Sequence, residues 1–130
     1  MRHQKAKAWE KRLKSMFDQI DIALEEEYGD RFTLHPVRAS HGTTSSRSMD
    51  GLFNIGASYS AGFGSKHGPG YVVDIRLSTL ERVPRELKQE LRDRVQVMLA
   101  ELLPATFPGK TLHIDKERQH SRIHGDLSLD

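Results

Sequence analysis

Apolar residues recur at helical spacing over residues 5–28. Trp9, Leu13, Met16, Phe17, Ile20, Ala23, Leu24 and Tyr28 share one face of a long amphipathic helix, and Gly29 is placed to end it. The period then changes. Residues 31–38 (RFTLHPVR) read as a short strand, and Pro36, which cannot donate to a ladder, assigns that strand to a sheet edge. Residues 39–51 (ASHGTTSSRSMDG) have no apolar period and predict a loop. Residues 52–59 alternate, with Phe53, Ile55, Ala57 and Tyr59 on one face. Residues 71–78 alternate most clearly, with Tyr71, Val73, Ile75 and Leu77 together.

Helical spacing returns after Pro84, a residue suited to the first turn. Leu87, Leu91, Val95, Met98, Leu99 and Leu102 form the buried stripe of this second helix, which Pro104 and residues 107–109 (FPG) are expected to end. Residues 111–115 (TLHID) predict a strand, and residues 122–129 a last strand or a tail. The predicted order is α-β-β-β-α-β with an extra C-terminal strand. This is an α+β fold in one domain over residues 1–130. Two amphipathic helices pack on one face of a mostly antiparallel sheet of four or five strands. Flexible loops are expected near 39–51 and 61–70, and a strand or tail over 120–130. The segment from 71 to 115 would be a right-handed crossover.

Composition narrows the classes. Hydrophobic residues make up 36% and charged residues 29%, a small core under a solvated surface. With no cysteine there is no disulfide framework, no thiolate chemistry and no sulfur-based zinc site. No apolar run approaches the roughly 20 residues that span a bilayer, so no membrane partner is expected. The basic N-terminus is not followed by an apolar stretch, unlike a secretory signal, and the expected location is cytoplasmic.

The stretch GFGSKHGPG, residues 62–70, holds four glycines with Lys66 and His67. A phosphate-cradling loop joins a strand to a helix N-terminus. This one is followed by a strand, so it reads as a hairpin connection whose glycines supply positive-φ turns, with a ligand-touching flap as the alternative.

The formal charge is only +2, but its distribution is uneven. The first half of helix one is basic (Arg2, Lys5, Lys7, Lys11, Arg12, Lys14) and the second half acidic, against the helix dipole. If the first three strands form a meander, the start of helix one, the 39–51 loop, the start of helix two and residues 116–122 meet at one end of the sheet. Lys7, Lys11, Arg38, His41, Arg47, Arg82, Arg85, Arg118 and Arg122 would then form a basic pole, with the glycine stretch at the opposite end. Such a pole suits an anionic partner, RNA or DNA first, through phosphate contacts.

A second constellation lies on the strands. His113 with Asp115, and His124 with Asp126, are spaced two apart and face away from the helices. Imidazole plus carboxylate is good ligation for zinc, iron or manganese, and these four residues define an alternative, a small metal-dependent hydrolase. No recognised metal motif matches, so spacing alone predicts neither metal nor cofactor. A third alternative is a ligand-free homodimer joined through helix one or a sheet edge.

Overall fold

The computed structural model describes residues 2–32, 51–118 and 120–127, with residues 2–6 described by their backbone alone. The elements are α1 (Arg2–Tyr28), β1 (Phe53–Ser60), β2 (Gly70–Leu77), α2 (Arg85–Thr106), β3 (Leu112–Glu117) and β4 (His120–Gly125). The fold is α+β, as the alternation of periods predicts. Of the expected 31–38 strand, residues 33–38 lie outside the described residues, and so does the 39–51 loop up to residue 50. The expected C-terminal strand is β4.

The strands form one antiparallel sheet in the order β1-β2-β4-β3. β4 inserts between β2 and β3, so the connection through α2 carries the chain past one strand position before β3. Ile55, Val73 and Ile123 face the helices and join Ile20, Leu24, Leu91 and Leu99 in one core. Gly70 is required at the β2–β4 contact, where a Cβ would lie 2.4 Å from the carbonyl oxygen of Ile123. The short β3–β4 turn places Arg118 at a φ of 45°.

Two expectations are corrected. Pro104 does not end α2, which continues to Thr106. Leu103 and Phe107, at 3% and 2% exposure, carry the buried stripe across it, one on either side, and that burial outweighs the missing N–H. The second correction is the direction of α1. The Trp9 ring lies 4.2 Å from Phe107 and 6.4 Å from Tyr71, so the start of α1 sits beside the end of α2 and the start of β2. At the other end, Glu25 Oε1 accepts the N–H of Phe53 at 3.0 Å, and Arg94 Nη2 donates to Glu27 at 2.9 Å. The helices are therefore antiparallel, and the two helix N-termini lie at opposite ends of the sheet. Apolar spacing tells which face of α1 is buried but carries no information on which way the helix points.

Candidate functional site

Alternation along the sheet divides the side chains. On β3, Leu112 and Ile114 pack toward the core, which leaves His113, Asp115 and Glu117 on the outer face. On β4, Ser121 and Ile123 face inward, which leaves His120, Arg122 and His124 outward. The register pairs His113 with His124, Asp115 with Arg122 and Glu117 with His120. Two titratable columns thus stand side by side on the face away from the helices.

The glycine stretch covers part of this face. It joins β1 to β2, as expected of a hairpin connection, but it does not point away from the sheet. Gly62, at a φ of 95°, lies so close to the far side of the loop that a Cβ would meet the Gly68 carbonyl carbon at 2.3 Å. Only glycine permits this narrow neck. The loop then turns back on itself. Ser65 N–H donates to the Gly62 carbonyl at 3.0 Å, and the N–H of His67 donates to Ser65 Oγ at 3.1 Å. Ser65 Oγ donates in turn to Glu117 Oε2 at 2.5 Å, and Arg122 Nη1 to the Gly68 carbonyl at 3.2 Å.

These bonds lay the His67 ring over the strands. It stacks on His124 with centroids 4.6 Å apart, and the rings of His113 and His124 are 5.4 Å apart. Asp115 Oδ2 is 2.6 Å from His124 Nε2 and 3.9 Å from His67 Nδ1. His67, Asp115 and His124 each offer a ligand atom, all within 4.8 Å of one another. The hydrogen bond from His124, against the opposing effect of burial, holds the Asp115 carboxyl below its ordinary pKa. Glu117 is held down to about 2 by the hydrogen bonds from Ser65, Arg122 and His120 against the opposing effect of burial. Both carboxylates are thus ionised across the neutral range.

The structure sorts the residues singled out in the sequence. His113, Asp115 and His124 come together. Asp126 does not join them, because the chain turns at Gly125 and its carboxylate lies 4.0 Å from Lys110 Nζ. The missing member is His67, which strand spacing could not bring in because it arrives from a loop. A signal for it did exist, in the histidine carried by a glycine-rich hairpin.

The basic pole is divided. Lys7 and Lys11 are exposed on the first half of α1, at the end of the sheet where β2 begins. Arg82, Arg85 and Arg118 line a groove at the other end, together with Arg76 and Arg92, between the end of β2 and the start of α2. Arg122 is not a surface cation. It is 5% exposed, and its Nε donates to Glu117 Oε1 at 2.8 Å. Arg38, His41 and Arg47 lie outside the described residues. No described helix is long and apolar enough to cross a membrane.

No solved structure matches the chain. A protein of Borreliella burgdorferi, described as an uncharacterized protein, is 34% identical over 95 residues, covering 73% of this chain and 74% of its own. A family profile described as uncharacterised protein matches residues 4–125. On these two matches the chain belongs to that family of uncharacterised proteins, whose profile takes in α1 from residue 4 onward, α2 and all four strands described above.

Proposed function

We propose that the protein is a small metal-dependent hydrolase centred on His67, Asp115 and His124. The observation that carries this reading is the convergence of two imidazoles and an ionised carboxylate, from one loop and two strands, within 4.8 Å. That donor set suits zinc, iron or manganese. Three protein ligands leave coordination positions open, as catalytic sites do and structural ones do not. A divalent cation held there would supply a Lewis acid and lower the pKa of water. The chain supplies the rest. Asp115 would bring negative charge and His67 and His124 imidazole nitrogens, the cation taking the place of the proton that joins His124 Nε2 to Asp115, and His113, exposed beside them, is placed to take or give a proton. Spacing alone predicted no metal because the ligands are scattered over 58 positions, from 67 to 124, with no local motif.

The test is metal uptake by chelator-stripped, untagged protein. About one zinc or manganese per chain is expected, lost in His67→Ala and Asp115→Ala, with metal-restored cleavage of ester or phosphodiester probes. Uptake below a tenth of a metal per chain would sink the reading.

The arginine groove favours a second reading, a binding surface for RNA or DNA. Arg76, Arg82, Arg85, Arg92 and Arg118 come from β2, the β2–α2 connection, α2 and the β3–β4 turn. This anionic partner would meet one end of the sheet, without the contribution of α1 that the sequence suggested.

A further inference from the structure

Glu117 is outside the ligand group, yet it faces the remaining nitrogen of His67. The His67 ring spans two carboxylates of one strand, with Nδ1 3.9 Å from Asp115 Oδ2 and Nε2 3.9 Å from Glu117 Oε2. A neutral imidazole carries one N–H, and the nitrogen that holds it cannot ligate. Resting on the metal reading above, we infer that Glu117 is the positioning residue of the centre: its carboxylate, facing Nε2, favours the tautomer that keeps the proton on Nε2 and leaves the Nδ1 lone pair facing Asp115 and His124.

Glu117 is itself fixed in place. Its Oε1 accepts from Arg122 Nε at 2.8 Å and lies 3.3 Å from His120 Nε2, while its Oε2 accepts from Ser65 Oγ at 2.5 Å. Arg122 is buried, so this carboxylate is backed by a side chain with no freedom to leave. Ser65 precedes His67 by two residues and accepts its backbone N–H. One carboxylate therefore holds both the loop that carries the ligand and the tautomer of the ligand itself. Partners of this kind orient metal-bound histidines, and losing one typically costs 10–100-fold in affinity.

The experiment uses the full chain, stripped of metal and titrated with zinc, beside nitrogen NMR of the His67 ring. In the metal-free wild type the Nε2–H tautomer should dominate. Glu117→Gln should keep the circular dichroism spectrum, bind zinc about 10–100-fold more weakly, and shift the His67 nitrogens toward a tautomer mixture. Ser65→Ala should weaken zinc less, because the carboxylate remains. Absence of zinc binding by the wild type would overturn the metal reading and this inference with it. Zinc binding by the wild type that Glu117→Gln matches within twofold would overturn the inference alone. So would an Nδ1–H tautomer in the wild type, a result that needs no variant to fold.

Discussion

Asp115 and His124 are diagonal neighbours across β3 and β4, and their side chains meet at 2.6 Å on the outer face. The register alone brings them together, since each stands opposite the other's nearest same-face neighbour, Arg122 and His113. The third member reaches them only because the loop after β1 folds back over the sheet.

The loop's narrow neck predicts a local effect on the site. Gly62→Ala puts a Cβ against the Gly68 backbone at a positive φ and should open the loop. Zinc binding should weaken at least as much as in Ser65→Ala, while the helical circular dichroism signal stays intact. Gly56→Ala is the control, because a Cβ there meets nothing within 4 Å. Equal zinc affinity in both variants would mean that the neck does not set the position of His67.

The ligand set predicts which aspartate matters. Asp115→Asn should abolish stoichiometric zinc uptake, and Asp126→Asn should leave it within about twofold. The latter carboxylate faces Lys110 instead of the imidazoles. A loss with Asp126→Asn equal to that with Asp115→Asn would restore the pairing suggested by strand spacing.

Acid should loosen the sheet through Glu117. Its folded pKa of about 2 lies below the ordinary 4.5, so its stabilisation is complete above pH 4.5 and is lost as pH falls toward 2. The shift corresponds to at most about 3 kcal/mol. Denaturant melts of the wild type and Glu117→Gln should differ at pH 7 and converge near pH 2. A gap that stays constant from pH 7 to pH 2 would contradict the shift.

The divided basic residues make a test of nucleic-acid binding directional. If RNA or DNA binds, replacing Arg82, Arg85 and Arg118 by glutamine should weaken it for all sequences. The log–log salt slope should flatten by about 0.7–0.9 per lost phosphate contact. Replacing Lys7 and Lys11 should do little, because they lie at the other end of the sheet. The reverse pattern would move the interface to α1.

The core is the part most easily read from sequence. Leu91, at 2% exposure and mid-stripe in α2, should cost about 2–5 kcal/mol as alanine, measured by denaturant melts. A loss below about 1 kcal/mol would mean that the helix face is misassigned. Periodicity is a local signal, so it located both helices, the facing of β1 to β3 and the outward column of His113 and Asp115. Direction and loop fold are not local. Nothing near Trp9 in the chain says that it will pack on Phe107, 98 positions later. Likewise, Lys66 and His67 read as the tip of a connection until the Gly62–Gly68 approach and the Ser65–Glu117 bond are known. Arg122 looked like another surface cation because a buried, paired arginine has the same sequence signature as a solvated one.

Arg118 holds a left-handed backbone, with a φ of 45°, that asparagine or glycine adopts more cheaply. Arg118→Asn should therefore raise stability by a few tenths to about 1 kcal/mol. The turn accepts a strained residue and in return sets a guanidinium at the lip of the groove. The most stable version of this hairpin and the one with most positive charge at that lip are different sequences, and selection for thermal stability alone would be expected to remove this cation.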